Sequence, residues 1–142
     1  CSSDLNNLVI IRPPLIYDME EKKGYNPSGF FYSAKNKEVI ELWGNGEELR
    51  EFIVLEDAVN IILKLSLISC HGIFNLTSGK SYSYREIANY ISKYLNYNIL
   101  EKERTGFSVN HTYDNSKLKS LIDKYEFISP FKAIDLAYYK NN

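Results

Sequence analysis

The sequence predicts an α/β fold, and three observations carry that expectation. Runs with the composition of strands alternate with runs that have the period of helices. The first strand-like run, Leu8-Val9-Ile10-Ile11, is continuously apolar and stops at Pro13-Pro14, the pattern of a strand buried on both faces inside a parallel sheet. The strands are few, and no strand and helix unit stands ahead of the first. Residues 1–142 therefore read as a single partial domain, the later part of a larger α/β unit.

After the first strand, residues 18–29 are charged and carry Gly24 and Pro27, so they read as a surface excursion able to act as a lid, ahead of a short helix or turn over 30–35. Val39-Ile40-Glu41-Leu42-Trp43 and Glu51-Phe52-Ile53-Val54-Leu55 read as two strands. The glycine pair Gly44-x-Gly46 between them predicts a hairpin turn. Residues 57–69 predict a helix in which Ala58, Val59, Ile61, Ile62, Leu63 and Leu65 are apolar nearly all round, hence packed on more than one side. Asp57 at its start suits the helix dipole.

Gly72-Ile73-Phe74-Asn75-Leu76 is a further strand, with a turn over 77–80. Ser83 and Glu86 make a Ser-x-x-Glu capping box for a helix whose apolar positions Ile87, Ile91 and Leu95 repeat every four residues and whose end falls near Asn96. Asp114 reads as the N-cap of a helix through Leu118, Leu121 and Ile122. Ser129-Pro130 opens the last helix, with proline at its tolerated first position.

Charge and composition limit the partners. Seventeen basic against eighteen acidic residues leave a formal net charge of -1, so no broad field attracts nucleic acid or anionic lipid, and any anion site must be local. No apolar run approaches the ~20 residues of a membrane span, and no signal peptide is visible. Cys1 and Cys70 have neither zinc-ligand spacing nor a disulfide framework. The expectation is a cytoplasmic protein with no metal, nucleic-acid or membrane partner. A chain opening Cys-Ser-Ser-Asp reads as a fragment rather than a processed lipoprotein, because the apolar run begins too soon to leave a tether.

Several motifs reduce to plain structure. Gly44-x-Gly46 lacks the third glycine of a dinucleotide loop; Leu49 holds that place and a strand follows. Tyr113-x-x-x-Lys117 has a catalytic spacing, but an N-cap at Asp114 would leave Tyr113 outside the helix. His71 and His111 are isolated and read as surface or loop residues, and Ser78 and Ser83 have no local triad partner. Arg50 stays open: a solvated charge at a strand edge, or a guanidinium that grips a diphosphate with paired, charge-assisted hydrogen bonds.

Taken in order, the segments resemble one family. Val9-Ile10-Ile11-Arg12-Pro13-Pro14-Leu15-Ile16-Tyr17 is similar to a strand leading into an Arg-Pro-x-x-Val-Tyr-Gly-Pro turn, although Asp18-Met19 replaces the final Gly-Pro. Residues 39–57 resemble a Val-x-x-Trp-Gly-x-Gly, Arg-Asp/Glu-Phe, Val-x-Asp block. Phe74-Asn75-Leu76 with Gly79 resembles Phe-Asn-x-x-x-Gly, Arg104-Thr105-Gly106-Phe107 resembles Arg-x-Gly-Asp, and Asp114-x-Ser116-Lys117 resembles an Asp-x-Ser-Lys tail. Each motif is weak alone. In this order and spacing, over residues 9–139, they resemble the extended short-chain dehydrogenase/reductases, the NAD-dependent epimerase/dehydratase group that acts on nucleotide-diphosphate sugars.

The resemblance implies an NAD(P)-binding Rossmann-like fold, of which this chain would hold the last strands of the parallel sheet and a small mixed α/β substrate-binding subdomain. It places Pro13 and Pro14 beside the nicotinamide of NAD or NADP. Leu15 stands at the substrate where many members carry an asparagine, Trp43 and Gly44 lie along the base and sugar, and Arg50 and Arg104 bind the diphosphate. Phe107 takes the place of an aspartate that holds the ribose. The family's cofactor loop, catalytic Ser/Thr and Tyr-x-x-x-Lys belong upstream of the Arg-Pro-Pro turn, so no catalytic residue is expected in this chain. The partner implied is a nucleotide-diphosphate sugar, and the whole protein would be a homodimer. The alternative is a non-catalytic sugar-nucleotide binding or protein-interaction module on the same scaffold.

Overall fold

The computed structural model describes residues 8–20, 26–36 and 39–140; Cys1 and residues 21–25 of the expected lid lie outside them. Alternation of strand and helix is the observed order. β1 (Val9–Arg12) and β2 (Leu15–Tyr17) precede α1 (Pro27–Lys35), followed by β3 (Ile40–Trp43), β4 (Leu49–Val54) and α2 (Leu55–Leu67). Then come β5 (Gly72–Asn75), β6 (Ser81–Ser83), α3 (Tyr84–Leu95), β7 (Ile99–Lys102), α4 (Ser116–Leu121) and α5 (Pro130–Lys140).

The strands form three small sheets, β1-β5, β2-β4-β6 and β3-β7. All pairs are parallel except β4 with β6. The glycine pair turns the chain, but it does not close a hairpin. β3 pairs with β7, Ile40 opposite Ile99, while β4 lies between β2 and β6. Ile40 and Leu42 are buried with Ile87 and Ile91 of α3, and this core sets the partner of β3 where local turn chemistry suggested β4.

Two apolar clusters hold the elements. One joins α1, α3 and α5 over β3 and β4, through Phe30, Phe31, Ala34, Ile40, Leu42, Phe52, Ile87, Ile91 and Ile134. The other joins α2, β5 and α4 through Ile53, Ile61, Leu65, Phe74, Leu76 and Leu118. α2 buries only the stripe Asp57, Ala58, Ile61 and Leu65, whereas Val59, Ile62 and Leu63 are exposed. The expected packing on several sides is thus one-sided among the described residues. The burial of β1 is corrected in the same way. It alternates half-buried and exposed, and the paired Ile10 and Ile73 are 42% and 43% exposed, because the described elements cover one face of the β1-β5 sheet only.

Helix ends follow local chemistry. The Asn26 side chain accepts from the Gly29 N–H at 2.9 Å and Pro27 opens α1, so the helix begins earlier than position 30, at a cap and a first-turn proline. The Ser83–Glu86 capping box is present in full, and α3 ends at Asn96 in the left-handed conformation, φ 52°. Leu55 belongs to α2 and not to β4. The N-cap of α4 is Asn115, one residue after the expected Asp114, whose carboxylate instead accepts from the Ser116 N–H at 2.9 Å. Tyr113 accordingly lies outside the helix.

Candidate functional site

β3 ends at Trp43, and the next residue must reverse direction at once. Gly44 does so at φ +62°, its N–H donating to the Lys102 carbonyl at 2.7 Å, so the turn is fastened to the end of β7. Just beyond β7, Arg104 lies against the turn: a Cβ on Gly44 would sit 3.2 Å from its Nε. Glycine at 44 serves both the left-handed turn and the close approach of the guanidinium.

Arg104 donates through Nη2 to the Trp43 carbonyl at 3.0 Å and through Nη1 to Glu48 Oε1. The same oxygen lies 3.8 Å from Nη2 of Arg50. Residues from β3, from the turn and β4, and from the segment after β7 thus converge on one carboxylate. Arg50 sits inside β4, opposite Tyr82 of β6, and not before the strand. Its Nη1 donates to the carbonyls of Leu49 and Val109, and its Cζ stands 5.8 Å from the centre of the Tyr84 ring. Burial pushes the Tyr84 phenol up, and Arg50 beside it opposes that rise. A buried carboxylate needs such partners, since desolvation of an unpaired one costs several kcal/mol.

The segment before α4 straps this strand down. His111 N–H donates to the Leu49 carbonyl at 2.9 Å, Asn110 Oδ1 accepts from the Leu49 N–H at 3.0 Å, and Tyr113 N–H donates to Glu51 Oε1 at 2.7 Å. Glu51 is 2% exposed and its Oε2 has no hydrogen-bond partner. Burial holds its carboxyl above the usual range, against the lowering effect of the Tyr113 and Gly79 N–H groups. The Asp-x-Ser-Lys tail has a structural part: the Asp114 carbonyl accepts from Asn75 at 2.8 Å, and Lys117 Nζ stands 4.5 Å from the Phe74 ring centre.

Of the residues singled out in the sequence, Trp43, Gly44, Arg50 and Arg104 come together. Leu15 begins β2 opposite Phe52, two positions along β4 from Arg50, and is 42% exposed. Pro13 and Pro14 join β1 to β2, at the carboxyl end of β1. Phe107 is 98% exposed and is not drawn into the cluster. Glu48, Tyr84 and the 109–113 strap were not foreseen. A glutamate two residues before an arginine in an extended segment shares its face, which is the only sequence signal for Glu48; its burial depends on Arg104, distant in the chain. A cavity of about 980 Å³ lies elsewhere, between α1, α2 and α5, and is lined by Met19, Val54, Leu55, Val59 and Leu136 among others, with none of the clustered residues. No group of three or more His, Cys, Asp or Glu side chains is placed to hold a metal among the described residues.

Parallel strands, alternating helices and a mixed strand triplet give the fold of the C-terminal portion of the Rossmann-like extended short-chain dehydrogenase/reductases. The UDP-glucose 4-epimerase of Thermotoga maritima, solved with UDP-glucose, superimposes with a TM-score of 0.77 at 19% identity, over 94% of this chain and 46% of that one. dTDP-glucose 4,6-dehydratase of Bacillus anthracis, in complex with NAD, matches with a TM-score of 0.76 at 18% identity over 94% and 45%. ADP-L-glycero-D-manno-heptose-6-epimerase of Helicobacter pylori matches with a TM-score of 0.75 at 17% identity over 93% and 43%. The chain therefore spans less than half the length of these structures. No protein-family model matches the sequence, and neither does any curated protein.

Proposed function

We propose that this chain is the substrate-binding portion of an NAD(P)-dependent nucleotide-diphosphate-sugar epimerase, dehydratase or reductase. The observation that carries the reading is the convergence of Arg50 and Arg104, from separate elements, on Glu48 beside Trp43 and Gly44. Two guanidiniums at one place suit a diphosphate, whose oxygens accept paired, charge-assisted hydrogen bonds. Trp43, 42% exposed, offers an aromatic face to a base or sugar next to them. The solved enzymes named above share the fold, and their names specify substrates with three different bases, each a nucleoside diphosphate joined to a sugar.

In this reading Leu15 and Phe107 border the substrate, and Pro13 and Pro14 border the nicotinamide. The prolines stand at the carboxyl end of a parallel strand, where α/β enzymes bind their ligands. Having no N–H, they fit a packing surface and not a phosphate ligand. NAD or NADP, when bound by the whole protein, would take up a hydride from a sugar carbon and return it. The residues described here grip the substrate and hold its orientation. The whole protein would be a cytoplasmic homodimer, and residues 1–142 alone would show no turnover.

Calorimetric titration of the full-length protein with UDP-glucose, dTDP-glucose and ADP-heptose tests the reading. At least one should bind, and the Arg50→Ala/Arg104→Ala double variant should lose that binding while keeping its circular dichroism spectrum. A wild-type protein that binds none of the three, or a double variant that binds as well as wild type, overturns it.

A further inference from the structure

Glu48 is the most enclosed charged side chain of the arginine cluster, 8% exposed against 17% for Arg50 and 25% for Arg104. One of its oxygens, Oε1, faces both guanidiniums. Two of the neighbouring cations are already paired, and two neighbouring carboxylates, Glu47 and Glu103, are exposed. Arg85 pairs with Glu101, Lys102 pairs with Glu41 at 2.6 Å, and Glu47 is exposed on the turn. Within the cluster itself, two positive charges face one buried negative charge, a net +1 for these three side chains.

That arithmetic bears on the ligand. A diphosphate esterified at both ends, as in a nucleotide sugar, carries two negative charges. A free nucleoside diphosphate ends in a terminal phosphate, joined through an anhydride, whose second ionisation, near 6, adds a third at neutral pH. A ligand lying along Arg50 and Arg104 also feels Glu48 between them, so each additional charge on the ligand is attracted by the two guanidiniums and repelled by that carboxylate. We propose that Glu48 is a specificity-determining residue, which reduces the advantage that the third charge of a free nucleoside diphosphate would otherwise have over a diphosphate esterified at both ends. The inference rests on the diphosphate reading of Arg50 and Arg104.

The test is a ratio of affinities, measured by calorimetry on the full-length protein with whichever of UDP-glucose, dTDP-glucose and ADP-heptose it binds, and with the matching free UDP, dTDP or ADP. Glu48→Gln keeps the shape and an acceptor oxygen for Arg104 but removes the charge. It should shift the ratio toward the free nucleoside diphosphate by about fivefold, whereas Glu48→Asp, which keeps the charge, should hold the wild-type ratio. The wild-type protein supplies an independent measurement. Its affinity for free UDP, dTDP or ADP relative to the terminal methyl ester, with no sugar involved, should be lower than that of Glu48→Gln. Wild type that binds none of the three sugar nucleotides overturns the diphosphate reading itself. A methyl-ester comparison that is the same in wild type and Glu48→Gln, an unchanged sugar-nucleotide ratio in Glu48→Gln, or an equal shift in Glu48→Asp overturns the role of Glu48 alone.

Discussion

Arg50 and Arg104 differ in what else they hold. Arg50 also fastens the 109–113 strap, through the Val109 carbonyl, and stands over Tyr84; Arg104 bonds only the Trp43 carbonyl and Glu48 in its recorded side-chain hydrogen bonds. Arg50→Ala should therefore weaken nucleotide-sugar binding by about 1.5 kcal/mol or more, a charged hydrogen bond's worth, and also lower the melting temperature. Arg104→Ala should weaken binding to a similar degree with a smaller fall in melting temperature. Titration and thermal unfolding of the two variants side by side check both halves. Equal affinities in wild type and Arg50→Ala would leave Arg50 a structural residue.

Glu51 gives a pH dependence at the same scale. Its folded-state pKa is raised above the ordinary 4.5 by burial, so its contribution to stability is fully present below about 4.5 and is lost as pH rises through the raised value. Glu51→Gln cannot ionise. The stability of Glu51→Gln relative to wild type should therefore increase as pH is raised from 4.5 to 8, read by urea unfolding. A difference that stays constant over that range would mean the carboxyl titrates as it does when unfolded.

Among the elements, α3 was the most legible, because its signals are local. Ser83 accepts from the Glu86 N–H at 3.0 Å and Glu86 returns the bond to the Ser83 N–H at 2.7 Å. Ser83→Ala should cost about 1 kcal/mol of stability, the usual worth of such a cap, checked by chemical denaturation. A loss below a few tenths would show that tertiary packing holds the helix end without it. Asp57 shows where local reading stops. Its place in the first turn of α2 suited the dipole, but its carboxylate accepts from the Tyr125 hydroxyl at 2.8 Å and the Ile128 N–H at 2.7 Å. Burial first, and then this bond to Asp57, push the Tyr125 phenol up to about 12. β6 and β7 were not read at all. β6 is three residues and β7 four, too short for a period to register, and both are defined by their partners β4 and β3.

For the whole molecule, the exposed face matters most. Ile10 and Ile73 sit opposite one another on the open side of the β1-β5 sheet, and Val59, Ile62 and Leu63 are exposed on α2. Apolar surface of this kind associates in water when nothing covers it. Residues 1–142 made alone should therefore sediment as a concentration-dependent mixture, and Ile10→Thr/Ile73→Thr should move it toward monomer. A monomer at all concentrations would show that these side chains do not form one adhesive patch.

The sequence by itself determined what neighbours in the chain decide: the alternation of strand and helix, the capping box, the proline start of α5, and a turn at Gly44-x-Gly46. It also carried, through resemblance, the fold that the solved structures share. Only the tertiary structure decided which strands pair, which faces of β1 and α2 are covered, and that Arg104 and Arg50 both reach Glu48. The physical reason is range. Caps and turns are settled by hydrogen bonds within three or four residues, whereas strand partners and buried ion pairs are settled by burial of side chains that the chain brings together only after it folds.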